Sequence, residues 1–263
     1  MTMTMARQGF GIDIGGSGIK GAPVDLESGE LLADRLRIAT PQPSTPAAVA
    51  VVVRQILDHF SWQACAGCTF PAVVRRGTTM TAANVDDGWI QLDADALLEQ
   101  VSGRSVHLLN DADAAGLAEM QYGAGRGQSG VVIVLTLGTG IGSAVFSDGV
   151  LLPNTEFGHL EIRGKRAERR ASDRSRKSKA LSWSDWAARL EEYLRRMEDL
   201  FWPNLIILGG GVSKHHQHFL PLIRTRTPLR PAALRNEAGI IGAAYAATLA
   251  EAESAPDSAN KSG

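Results

Sequence analysis

The sequence predicts an α/β protein built as two related lobes around a central cleft. Three observations point there. Short β-rich apolar runs alternate with helical patterns along the chain. A glycine-rich turn between two such runs appears in "GFGIDIGGSGIKGAPVD" (9–25) and again in "GVVIVLTLGTGIGSAVFSDG" (130–149). The two turns also align. With Ser17 skipped, Gly15, Gly18, Ile19 and Ala22 fall opposite Gly138, Gly140, Ile141 and Ala144. A repeated strand, glycine turn and strand is the mark of duplicated halves.

The elements follow in order. The first glycine turn joins two strands as a hairpin. A looser, Pro-rich connection, "ATPQPSTP", comes next, and "AAVAVVVRQILDHF" has the period and length of a helix. "CAGCTFPAVV" reads as a strand ended by Pro71. "SVHLLNDADAAGLAEMQYGAG" reads as a strand to Leu109, a polar corner, and a helix from about Ala112. The second hairpin is followed by a basic run and by "SWSDWAARLEEYLRRMEDLFW", an amphipathic helix with Ser182 or Ser184 as N-cap. "PNLIILGGGVSKHHQHF" is a buried strand, a glycine turn and a helix start, and "NEAGIIGAAYAATLAEA" is a small-residue helix. The first lobe is expected at 8–113 plus 238–252 and the second at 114–237. Residues 1–7 and the polar tail 253–263 are expected to be disordered.

Composition narrows the function. The chain has 263 residues, 44% hydrophobic and 21% charged, enough for a sizeable core without disulfides. A net charge of -1 removes any global pull toward nucleic acid or membrane, so an electrostatic role must be local. No apolar run approaches a membrane span, and "MTMTMARQ" lacks the apolar core of a signal peptide. A cytoplasmic protein is expected. Cys65 and Cys68 have C-x-x-C spacing, but no second pair completes a zinc site, and "ACAGCTFPA" reads as a buried strand.

Glycine turns suit phosphate because the backbone can approach an oxyanion closely and successive N–H groups can converge on it. Neither turn is a Walker A loop or a dinucleotide fingerprint. Each alone could be a tight hairpin. Two matching turns carrying Ser17, Lys20 and Thr139 favour phosphate, with Gly15, Gly16, Gly18, Gly140 and Gly142 supplying close backbone. A third cluster, Gly209, Gly210 and Gly211, is either a plain strand-to-helix turn or a surface on which a base or ribose could lie.

The stretches "DIGGSGIKGA", "LNDADAAG", "LGTGIGSA", "EFGHLE" and "LGGGVS", in this order, resemble the ROK group of sugar kinases and repressors. The resemblance covers about residues 8 to 250 and implies the actin, Hsp70 and hexokinase-like fold, of the ribonuclease H-like kind. The cysteine-rich zinc cluster usual after the Gly-His pair is missing, so no zinc is expected. A basic run stands there instead, and "AERRASDR" with "LSWSDWAARL" resembles the actinobacterial polyphosphate glucokinases and polyphosphate/ATP glucomannokinases. The resemblance implies phosphoryl transfer from polyphosphate and ATP to the 6-hydroxyl of glucose, and of mannose, with Mg²⁺. An ATP-only sugar kinase and a non-catalytic, sugar-responsive repressor are the alternatives. Repressor relatives carry an N-terminal helix-turn-helix, whereas this chain enters its first glycine turn by residue 13. A homodimer would be usual for the group, and no specific nucleic acid is expected.

Phosphorylating a hydroxyl needs a base, positioned phosphates and a metal. Asp111, where a strand gives way to a helix, is the candidate base, because the helix dipole stabilises its anion. Helix capping is its other reading, and Asp113 could be the cap instead. Glu156 and His159, three residues apart, could grip adjacent sugar hydroxyls. By resemblance both bind hexose, as do Asn110 and Glu168, with Asn84 and the backbone near Pro71 as weaker candidates. Asp13 would hold Mg²⁺ through water.

From Arg163 to Lys179 there are nine Arg or Lys against Glu168 and Asp173, a local net of +7. A solvated charge run is one reading. The other is a track for a long anionic donor, led by Arg163, Lys165, Arg166, Arg169 and Arg170. "KHHQH", Lys214 to His218, could extend it or form an exposed helix face.

Overall fold

The computed structural model describes residues 8–82 and 85–254. They form two compact units, one within 8–110 together with 239–254, and the other Asp111–Ala238.

In the first unit, β1 (Gln8–Ile14) and β2 (Ile19–Asp25) form the hairpin over the first glycine turn, with β3 (Leu36–Ile38) on the edge of β2. Helix α1 (Pro46–His59) starts at a proline, and Thr45 caps it by accepting the Ala48 N–H. β4 (Ala66–Phe70) follows, then a small sheet of β5 (Val74–Arg75), β6 (Thr78–Thr79) and β7 (Leu92–Asp93). Helix α2 (Ala94–Ser102) is capped by Asp93 and ends at Gly103 in the left-handed region, φ 70°. β8 (Val106–Asn110) completes a sheet of order β3-β2-β1-β4-β8.

The second unit opens on α3 (Asp111–Tyr122). β9 (Val131–Leu137) and β10 (Ile141–Ser147) form the second glycine hairpin, with β11 (Val150–Leu152) beside β10. The basic run folds as a short hairpin, β12 (Glu161–Ile162) and β13 (Lys165–Arg166), then α4 (Glu168–Ala171) and α5 (Asp173–Ser178). Helix α6 (Trp183–Phe201), β14 (Leu205–Gly209) and β15 (Leu229–Pro231) follow. The sheet order is β11-β10-β9-β14-β15. Strand for strand it repeats the first sheet, antiparallel on the hairpin side and parallel on the other. The repeat read from the glycine turns is thus a repeat of whole sheets.

Period-two alternation fills both faces of the second sheet. Ile133 and Leu135 of β9 pack with Trp186, Leu190 and Leu194 of α6, while Val132 and Val134 pack with Phe146 and with Leu117 of α3. In the first unit, Phe10 and Ile12 of β1 pack against Val49, Val53 and Ile56 of α1. The last helix, α7 (Ala238–Ser254), lies on strands β1 and β4. Gly11 and Gly67 face the carbonyls of Ile240 and Ala243 so closely that no Cβ fits there. Among the described residues no helix is long and apolar enough to cross a membrane.

Several local expectations shift. β8 runs directly into α3 without a corner, so Asp111 is the first helical residue. Asp113 lies inside α3, only 2% exposed, and is not a cap. Ser182 caps α6, accepting the Asp185 N–H at 3.1 Å. The segment that starts at the last glycine of the triplet, Gly211–His218, is 3-10 helix broken at His215. α7 continues to Ser254, two residues past the expected end. Cys68 is fully buried in β4, and both thiols are free and pushed up by burial. The expectations for residues 1–7, for 255–263 and for Asn84 lie outside the described residues.

Candidate active site

In the first unit the glycine turn closes by a hydrogen bond from Gly15 N–H to the Gly18 carbonyl, 3.2 Å, and Thr40 donates its hydroxyl to the Gly15 carbonyl. Gly16 and Ser17 stand at the exposed tip, and nothing lies within 4 Å of where a Gly16 Cβ would be. Asp13 and Lys20 are cross-strand partners, and the Lys20 ammonium reaches the Asp13 carboxylate at 3.2 Å. Thr69 on β4 donates to the other Asp13 oxygen at 3.1 Å. Each oxygen keeps further acceptor capacity. A carboxylate with room for water suits Mg²⁺, which is held by one or two carboxylates plus phosphates and waters.

Sequence reading missed Arg37. Its guanidinium donates to the Ser17 carbonyl at 2.8 Å and covers Gly18. The signal lay in the register of a three-residue strand, invisible until β3 is paired with β2.

The second turn closes similarly, Gly138 N–H to the Gly140 carbonyl at 3.0 Å, with Thr139 at the exposed tip. Its glycines have distinct reasons. A Cβ on Gly142 would meet Thr136 and Ala112, so this glycine lets β10 lie against α3. Gly210, at φ 79°, presses on the Leu137 backbone and so brings the end of β14 beside the turn. Gly209 ends β14, and Gly211 faces open space. The basic segment is seated on this turn. The Arg174 N–H donates to the Gly138 carbonyl at 3.0 Å, and the Glu168 carboxylate lies against Gly140.

The Glu156 and His159 pair forms a partly buried turn with Nε2 and Oε2 3.8 Å apart. Ser143 of β10 fixes it, donating to the Thr155 carbonyl at 2.7 Å and accepting the Phe157 N–H at 3.0 Å. Gly158 packs on the Ile141 carbonyl. Asp113 accepts the Asn154 N–H at 2.7 Å, which ties the same loop to α3. Burial pushes the Glu156 carboxyl up, opposed by His159, with Glu168 raising and Arg166 lowering it further. Burial also raises Asp113 to about 7, eased by the Asn154 N–H and reinforced by the charges of Asp111 and Glu156. Asp111, Asp113, Glu156, His159 and Glu168 therefore share one electrostatic neighbourhood. Asp111 is exposed at the start of α3. Asn110, at the end of β8, is buried, and its amide donates to the Ala72 carbonyl at 3.0 Å.

Not every cation of the basic run faces solvent alone. Glu192 of α6 takes Arg163 at 2.5 Å and Arg170 at 2.7 Å. Asp173 takes Arg176 at 2.8 Å and Lys177 at 2.7 Å. Arg166 approaches Glu168 at 4.0 Å. Lys165, Arg169 and Arg174 are exposed with no ion pair among the described residues. Of "KHHQH", His215 and His218 lie against Trp183, whose ring also carries the Arg176 guanidinium 4.1 Å from its centroid.

The ROK family pattern matches residues 9–171. The polyphosphate glucokinase of Mycobacterium tuberculosis is 50% identical over 244 residues, 92% of this chain and 92% of that protein. The inorganic polyphosphate/ATP-glucomannokinase of Arthrobacter sp. strain KM superposes with a TM-score of 0.88 at 50% identity, covering 92% of this chain and 99% of that one. The ROK hexokinase of Thermus thermophilus superposes with a TM-score of 0.72 at 25% identity, over 94% of this chain and 100% of that one. The fold is accordingly the actin- and hexokinase-like α/β fold, and the chain belongs to the ROK family.

Proposed function

We propose that this chain moves a phosphoryl group from inorganic polyphosphate, and from ATP, to the 6-hydroxyl of glucose and mannose, giving the hexose 6-phosphate. The reading rests on family membership and on relatives at 50% identity that bear the names polyphosphate glucokinase and polyphosphate/ATP-glucomannokinase. The observation that carries the polymer donor is the seat of the basic segment on the second glycine turn, through Arg174 and Glu168. A polyphosphate chain leaving that turn meets Lys165, Arg169 and Arg174, whereas ATP presents a neutral base beyond its third phosphate.

In this reading Asp111 accepts the proton of the 6-hydroxyl as its oxygen bonds to the transferred phosphorus. The bridging P–O bond breaks, and the electron pair leaves on the shortened polyphosphate or on ADP. Glu156 and His159 hold hydroxyls of the sugar as acceptor and donor, and Glu168 and Asn110 serve as further sugar ligands. Lys20 and the glycine turns bind donor oxygens. Asp13 would hold Mg²⁺ through water. When bound, that ion spreads the charge of the phosphate oxygens.

An ATP-only kinase is the second reading. It is favoured by the ion pairs that already occupy Arg163, Arg170, Arg176 and Lys177. Initial rates of glucose 6-phosphate formation with Mg²⁺, with polyphosphate or ATP as sole donor, separate the two. Turnover with polyphosphate supports the proposal, and turnover with ATP alone reduces the basic segment to a structural loop. No turnover with either removes the kinase reading.

A further inference from the structure

The edge of the first sheet carries a row of polar side chains. β3 places Arg37 directly opposite Lys20, Lys20 stands opposite Asp13, and Asp13 stands opposite Thr69. Residues paired this way share a face of the sheet. The four side chains form one polar row, one residue from the glycine turn.

The row contains an electrostatic oddity. Two cations directly opposite each other on neighbouring strands repel. Lys20 is offset by Asp13 at 3.2 Å. Arg37 is exposed and has no ion pair among the described residues. Its hydrogen bond runs to a neutral partner, the Ser17 carbonyl, at 2.8 Å. A guanidinium has five N–H donors, so most remain unused.

The group is nevertheless held in place. A Cβ on Gly18 would come within 2.6 to 2.7 Å of the Arg37 Nε, Cζ and Nη2 atoms, so the absence of a side chain at Gly18 lets the fork lie on the turn. A planar fork anchored beside an ammonium and an exposed glycine tip has the donor set that phosphate oxygens take.

We infer that Arg37 binds a phosphate group of the donor, beside Lys20. This rests on the kinase reading above. It differs from the basic segment in what it discriminates. Arg37 meets a phosphate that polyphosphate and ATP share, so both donors depend on it, whereas the basic segment favours the polymer.

Donor kinetics and direct binding of tripolyphosphate by calorimetry test this on wild type, Arg37→Ala, Arg37→Gln and Arg37→Lys. Glutamine can still donate to the Ser17 carbonyl but carries no charge, so it separates tethering of the turn from phosphate binding. Arg37→Ala and Arg37→Gln are expected to raise KM for polyphosphate and for ATP by about tenfold, the size of a lost charge-assisted hydrogen bond. Tripolyphosphate binding should weaken by a similar factor. KM for glucose and the Tm without donor should stay near wild type, and Arg37→Lys should fall between. Wild-type donor KM and tripolyphosphate affinity in Arg37→Gln would overturn the inference and leave Arg37 as a tether. If wild type turns over neither donor, the kinase reading fails, while the calorimetry still decides whether Arg37 binds phosphate.

Discussion

The Asp113 carboxylate accepts the Asn154 N–H at 2.7 Å from inside α3, with 2% of the residue exposed. Burial raises this carboxyl from 3.8 to about 7. The folded state therefore keeps a proton that the unfolded chain releases above pH 4. The stabilising contribution is complete below that pH and declines as pH rises toward 7. Asn can accept the same N–H and does not titrate. The stability of Asp113→Asn relative to wild type should rise across this window by about 2–4 kcal/mol, read from urea unfolding at stepped pH. A constant difference between the two proteins from pH 4 to 8 would show that Asp113 titrates normally.

Asp111 differs from Asp113 by exposure. Its replacement by Asn should leave the Tm within a degree or two of wild type, because an exposed change away from packing costs about 0.5 kcal/mol or less. kcat for glucose 6-phosphate formation should fall by about 10²–10⁴-fold, the usual loss of a general base. Retained kcat would move the proton acceptor elsewhere.

Salt should separate the donors. KM for polyphosphate is expected to rise more steeply between 50 and about 300 mM salt than KM for ATP, because exposed charges are screened over a Debye length of roughly 8–10 Å. Lys165→Glu with Arg169→Glu should flatten the difference, leaving the paired Arg163 and Arg170 intact. Equal slopes for both donors in wild type would remove the polymer track.

Two glycines give opposite packing predictions. Gly67→Ala places a methyl against the Ala243 carbonyl of α7, so a destabilisation of about 3 kcal/mol or more is expected from thermal unfolding. Gly103→Ala meets open space, and its cost should be only the left-handed φ of 70°, about 1 kcal/mol.

The sequence was most legible where local chemistry and global fold agree. The paired glycine hairpins announced the duplicated sheets, and Ser182 marked the start of α6, because turns and caps are short-range signals. Arg37 and Ser143 stayed hidden since each acts through a register or a fold-back that no local pattern encodes. Asp113 was visible as a carboxylate near a helix start, but the N–H it accepts comes from Asn154, 41 residues further along the chain. The basic run was read as a single +7 segment, yet Glu192, a residue of a different helix, takes two of its arginines. Charge counted along a chain cannot anticipate partners that arrive from elsewhere.

The close seat of α7 on Gly11 and Gly67 has a consequence for synthesis. The first unit is discontinuous, since its strands come first and α7 comes last, while Asp111–Ala238 is one unbroken stretch. On the ribosome the continuous unit has all of its residues before the earlier one does, so the older strands wait with the face of β1 and β4 uncovered until the last helix emerges. Ending translation near Gly239 would leave the Asp111–Ala238 stretch whole but deprive the first sheet of that cover. The order of birth and the order of completion are therefore reversed in this chain.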